Sequence, residues 1–188
     1  MKKLHTAMII GLTYAFSNVW AATDSLNHYM TLTKLHGDWV LSPADQQEGG
    51  ATKKGPAAKL LSTDETAMSF RVIGKGKAVQ ENLLPGTGKE MATMYHCNDF
   101  QECTQVQAKH YCAKQNQPEL VLDVENTSAT VVAMNCDMGT PLCGSAEGHV
   151  HAIKHELSKD DNHLKTIYVI YQDGKLQKHS IYHFDRKL

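Results

Sequence analysis

From residue 38 to residue 184 the chain is a succession of short runs in which apolar and polar side chains alternate, each closed by a turn signal. The runs are 38–41, 67–73, 77–84, 91–97, 104–112, 119–124, 129–134, 149–157, 164–171 and 175–184. Alternation with period two puts one side of each run on a core and the other toward water, which is the pattern of a half-buried antiparallel strand. Gly74-Lys75-Gly76, Pro85-Gly86-Thr87-Gly88, Glu125-Asn126-Thr127 and Asp173-Gly174 separate successive runs. Asp-Gly between two strand runs is a strong hairpin signal, because both residues tolerate the positive φ of a type I′ turn. Short strands at this spacing specify an antiparallel sandwich or barrel. One short amphipathic helix precedes them, with Leu26, Tyr29, Met30, Leu32 and Leu35 on its apolar face and Asp24 or Ser25 as N-cap.

The start of the chain has a different character. Met1-Lys2-Lys3 is basic, residues 7–16 are apolar, and Val19-Trp20-Ala21-Ala22 ends in small residues. That order is a secretory signal peptide, expected over 1–21, and the apolar run falls short of the roughly 20 residues that span a bilayer. Residues 22–188 are then expected to form a single exported domain, periplasmic or secreted. No later stretch is long and apolar enough to be a membrane span. Nineteen basic residues against 20 acidic ones, a formal net charge of −1, leave no basic footprint for nucleic acid. The sequence names no protein partner.

All five cysteines lie between Cys97 and Cys143. In an oxidising compartment such clusters form disulfides. Cys97 and Cys103 bracket one polar loop, and Cys136 and Cys143 bracket another turn-rich stretch, so two local bridges are expected, with Cys112 left over. Other pairings and a zinc–thiolate set stay open on the residues alone.

Gly37-Asp38-Trp39 follows the helix and opens the first strand. It resembles the G-x-W signature of the calycin superfamily, which includes the lipocalins. That resemblance implies an up-and-down barrel of about 8–10 strands, with Trp39 plugging one end beneath a basic side chain from the last strand, as a cation–π contact. Arg186 holds that place by position, with Lys187 as the alternative. A second resemblance covers about 71–151: Pro85-Gly86-Thr87, Glu90-Met91, Thr93, Tyr95-His96, His110-Tyr111-Cys112, Asn116-Gln117-Pro118 and Gly148-His149-Val150-His151 occur in the order seen in a family of small exported bacterial lipocalin-like proteins. Lys109 and Gln115 depart from its usual Thr and Gly. In that family's pattern Cys112 belongs and the other cysteines look like additions, which supports the same two bridges. It implies a fold and export but no particular activity or cofactor.

If Cys97 and Cys103 face each other across a hairpin, paired positions sum to 200. Glu90, Met94 and His96 then share a face with Val106, Ala108, His110 and Cys112, and this face is taken as the barrel interior; Thr93 and Tyr95 fall on the other. A shift of one residue would reverse the assignment. Tyr95, Gln117, His149 and His151 complete the candidate ligand-binding set, the last two sharing a face with Ile153 and His155. A small hydrophobic or amphipathic ligand in a His/Glu/Cys-lined cavity is the expected function. A metal or haem held by His110, His149 and His151 is the alternative, and acid–base or Cys112 nucleophile chemistry a second. His155, His163, His179 and His183 follow no common spacing and read as structural.

Overall fold

The computed structural model describes residues 17–43, 55–61, 63–99 and 101–188. Most of the expected leader, residues 1–16, lies outside these, and the expected cleavage position after Ala21 falls within the first helix. The elements run α1 (Ser17–Lys34), β1 (Gly37–Leu41), α2 (Pro56–Leu60), β2 (Met68–Ile73), β3 (Ala78–Leu83), β4 (Met91–Cys97), β5 (Val106–Tyr111), β6 (Glu119–Leu122), β7 (Val131–Cys136), β8 (His149–Leu157), β9 (His163–Gln172) and β10 (Lys175–Arg186). The short α2 is an addition to the expected elements; it starts at Pro56, whose fixed φ suits the first turn of a helix.

Every strand pairs antiparallel with its sequence neighbours, and β1 pairs with β10 to close the sheet into a ten-stranded barrel. The all-β up-and-down barrel with an N-terminal helix is thus the observed fold. No helix among the described residues is long and apolar enough to cross a membrane.

Strand direction alternates, so the turns fall at two ends. The β2–β3, β4–β5 and β6–β7 turns meet α1, which closes that end. Ser25 Oγ donates to the Thr104 carbonyl at 3.1 Å, Tyr29 hydroxyl to Gly76 at 2.9 Å, and Thr31 Oγ1 to Ala129 at 3.5 Å. Trp39 is fully buried there, and its indole N–H donates to the Leu35 carbonyl at 2.9 Å. The Arg186 guanidinium carbon lies 4.2 Å from the Trp39 ring centroid, while its nitrogens donate to the His36, Lys34 and Asp161 carbonyls. The bond to Lys34 satisfies a carbonyl at the end of α1 that the helix cannot satisfy itself, and those to His36 and Asp161 tie the neighbouring loop and the β8–β9 turn to the last strand. Gly37 has φ +133, and a Cβ there would meet Arg186 Nη1 at 3.2 Å. The backbone angle and the approach of Arg186 both require glycine.

The register of the β4–β5 hairpin differs from the expectation. Cys97 pairs with Val106 and Tyr95 with Ala108, so paired positions sum to 203. The Cys97–Cys103 disulfide is present, but Cys103 sits in the turn with φ 50 and is no cross-strand partner. The shift is odd, so β4 turns over relative to β5. Thr93 and Tyr95 face the core, and Met94 and His96 face outward. A β-bulge between Val150 and Ala152 likewise breaks the alternation of β8. His155 therefore points into the barrel while His149 and His151 converge elsewhere.

Candidate functional site

Along β3, Val79, Glu81 and Leu83 share the inward face, so the pleat carries a carboxylate into the apolar core. Glu81 is fully buried. Its two oxygens accept hydrogen bonds from the Tyr95 hydroxyl on β4 and the Tyr168 hydroxyl on β9. His155 Nε2 on β8 lies 3.2 Å from Glu81 Oε2 and 2.9 Å from the Tyr95 hydroxyl. His155 Nδ1 is 3.0 Å from Thr166 Oγ1. Phe70 meets the imidazole edge-on, with centroids 5.4 Å apart.

Counting hydrogens fixes the roles. Both tyrosines give their only proton to Glu81, so His155 Nε2 can hydrogen-bond there only as a donor. The Thr166 hydroxyl also lies 4.0 Å from Met68 Sδ. The Glu81 carboxylate thus accepts from both tyrosines and lies beside the donating Nε2 of His155, with all of these groups buried. Burial alone would raise the Glu81 carboxyl, but the hydrogen bond and charge of His155, with the two tyrosine hydroxyls, outweigh it and hold the group below the ordinary carboxylate value. Burial and the negative charge of Glu81 push the Tyr95 and Tyr168 phenols well above their usual range.

His110 on β5 is also fully buried. Its Nδ1 lies 2.9 Å from Thr93 Oγ1, and its ring sits 5.9 Å from that of Tyr168. Its Nε2 has no hydrogen-bond partner among the described residues. Burial lowers its affinity for a proton, an effect that Glu81 opposes in part, so the ring is neutral at ordinary pH.

At the end of the barrel opposite α1, the mouth opens into a cavity of about 320 Å³. Met91, Val150 and Ile170 form apolar wall, Tyr168 and Tyr182 line it from β9 and β10, and Cys112 contributes its thiol. Lys89, Lys114 and Lys178 stand around it, each exposed. Among the described residues, no carboxylate pairs with any of the three. Tyr168 thus borders the cavity and carries the Glu81 hydrogen bond, linking mouth and core.

The expected site residues are scattered by comparison. Tyr95 and His110 are in the core, and Cys112 is at the mouth. Glu90 is exposed in the β3–β4 turn, where its carboxylate accepts from the Gly86 N–H at 2.9 Å. Met94 and His96 lie on the outer face, and Gln117 is exposed. Its neighbour Asn116 is the buried residue of that loop, donating to Glu147 Oε1 at 2.8 Å and to the Gly148 carbonyl at 2.9 Å. His149 and His151 contact each other, and among the described residues His110 is not in their ligating cluster. His151 is held below the ordinary imidazole value by burial and by His149. The second disulfide joins Cys136 and Cys143, and Cys112 is free. Neither ring nitrogen of His110 hydrogen-bonds the Cys112 thiol, so the two do not form a nucleophile–base pair.

The expected set does not include Glu81, Thr166 or Tyr168, and it treats His155 as structural. The signal was in the pleat: Glu81 shares parity with Val79 and Leu83, His155 with Ile153 and Leu157, and Tyr168 with Leu164. Compared with known proteins, the chain matches no family model and no curated protein sequence.

Proposed function

We propose that this chain is an exported binding protein of lipocalin-like build that holds a small amphipathic anion in the open mouth of its barrel. The observation that carries this reading is the cavity of about 320 Å³, where Met91, Val150 and Ile170 adjoin Lys89, Lys114 and Lys178. Apolar wall would take a hydrocarbon tail, and the lysines would take a carboxylate or phosphate head without first breaking an ion pair. Tyr168 and Tyr182 offer hydroxyl and ring surface at the boundary. The Glu81 cluster fixes Tyr168 in place, so the cavity is preorganised. Export is supported by the leader-like start and by two disulfides, which suit an oxidising compartment.

Titration calorimetry with dodecanoate, dodecanol and dodecylammonium tests it. Dodecanoate should bind about tenfold or more tighter than the alcohol, since opposite charge at close range contributes on the order of 1–2 kcal/mol. Dodecylammonium should not bind. Equal affinity for all three, or none for dodecanoate, would overturn the reading.

A further inference from the structure

The open end carries a second group of ligating side chains, apart from both the cavity and the Glu81 cluster. Cys136 at the end of β7, and His149 and His151 at the start of β8, each offer one ligand atom, and these atoms lie within 4.8 Å of one another. The strand pairing explains the meeting. Asn135 pairs with Ala152, so one step further along the ladder brings Cys136 opposite His151.

The two imidazoles are oriented for ligation. His149 Nδ1 lies 2.7 Å from the Glu147 carbonyl oxygen. A carbonyl can only accept, so Nδ1 carries a hydrogen, and the neutral tautomer with its hydrogen there has its lone pair at Nε2. That Nε2 is 3.1 Å from His151 Nδ1, which donates to it. The two nitrogens therefore converge on one point. The His151 ring lies flat against Tyr171, with centroids 4.0 Å apart and planes 9° from parallel. A histidine whose second nitrogen is tied to a backbone carbonyl is the usual support for a metal ligand. Two imidazoles and a sulfur form a donor set suited to zinc, which favours nitrogen and thiolate in tetrahedral sites.

The sulfur is not yet a thiolate, because Cys136 is bonded to Cys143, and the thiolate is the form that ligates metals. We propose that reduction of the Cys136–Cys143 bond by a dithiol turns this cluster into a zinc site made of Cys136 Sγ, His149 Nε2 and His151 Nδ1, with the released Cys143 within the same loop as the fourth ligand. The dithiol supplies two electrons and two protons; the Cys136–Cys143 bond breaks to two thiols as the dithiol closes to its own disulfide. Zinc then displaces the thiol protons to solvent. His149 needs no proton change, and His151 gives up its Nδ1 proton while taking one at Nε2. Oxidation reverses the sequence and releases the metal. The site is closed to zinc in the form with both bridges and open in the reduced form.

The test uses the full chain with Cys112→Ser, so that no other free thiol is present. Adding Cys143→Ser leaves Cys136 as a thiol without any reductant. Competition against a coloured chelator should show one Zn²⁺ bound about 100-fold tighter in the Cys143→Ser protein than in its bridged parent. Co²⁺ in its place should give thiolate-to-cobalt charge-transfer absorption. His151→Gln in the same background should weaken binding about tenfold or more. Should Cys143→Ser not fold, a parent that also carries Cys97→Ser and Cys103→Ser, reduced with a phosphine and desalted anaerobically, gives the same comparison with Cys136 and Cys143 as its only thiols. Equal zinc affinity in bridged and reduced protein, a cobalt spectrum without the thiolate band, or indifference to His151→Gln would each overturn the proposal.

Discussion

His155 Nε2 lies 3.2 Å from Glu81 Oε2 at the centre of the barrel, with both side chains sealed from water. Removing one member of a buried pair strands the other without compensation, which costs about 3–5 kcal/mol. Glu81→Ala should lose stability in that range by urea unfolding, and it should also release the Tyr95 and Tyr168 hydroxyls. Glu81→Gln, which keeps two acceptor or donor atoms in place, should cost less. A loss below about 1 kcal/mol for Glu81→Ala would mean that water enters and replaces the carboxylate.

The same pair sets the response to acid. Glu81 is held below its unfolded value by His155 and the two tyrosines against the opposing effect of burial. Its contribution is therefore present above the unfolded carboxylate pKa of about 4.3 and is lost as pH falls through the lower folded value. Stability of the natural protein should fall with pH in that acid range, and Glu81→Gln should flatten the fall. At the other extreme, the Tyr95 and Tyr168 phenols are raised, so their contribution is present below about pH 10 and is lost above it. Tyrosinate absorbance should show a late-ionising component coincident with unfolding, diminished in Tyr168→Phe.

Trp39, Arg186 and Gly37 form a separate unit at the closed end. Trp39→Ala empties a fully buried ring site and should cost about 3–5 kcal/mol. Gly37→Ala places a Cβ at a φ of +133 and 3.2 Å from Arg186 Nη1, and should cost about 1–3 kcal/mol. Both should leave dodecanoate binding unchanged at moderate denaturant-free temperatures, because the cavity is at the opposite end. Selective loss of binding in a folded Trp39→Ala protein would show that the two ends are coupled.

The strands and the helix were legible because period-two alternation, turn residues and amphipathic spacing are local properties of the chain. Asp173-Gly174 is an example: it produces the β9–β10 hairpin with Asp173 at φ 53 and Gly174 at φ 67. Register was not local. Treating Cys97 and Cys103 as a cross-strand pair put Met94 and His96 inside and Tyr95 outside, whereas Cys103 belongs to the turn. The bulge at His151 hid the fate of β8 in the same way, since one unpaired residue changes the face of everything beyond it. Glu81 was missed for a different reason. A single acidic residue in a strand is ordinarily on the wet face, and only its parity with Val79 and Leu83 marked it as inward.

Cys112 reports on the mouth, because it is free, half-buried and part of the cavity wall. Denatured, unreduced protein should show one reactive thiol by titration, and Cys112→Ser should show none; three or five would contradict the two bridges. In the native protein this sulfur borders the space that the proposed ligand would fill. Saturating dodecanoate should therefore slow alkylation of Cys112, and dodecylammonium should leave the rate unchanged. Substituting Lys114 and Lys178 with glutamate should abolish the protection by dodecanoate without altering the rate in its absence by more than about twofold, since both lysines are exposed and change access little. If dodecanoate binds by calorimetry yet Cys112 alkylates at its free rate, the anion occupies some other surface and the assignment of the mouth fails.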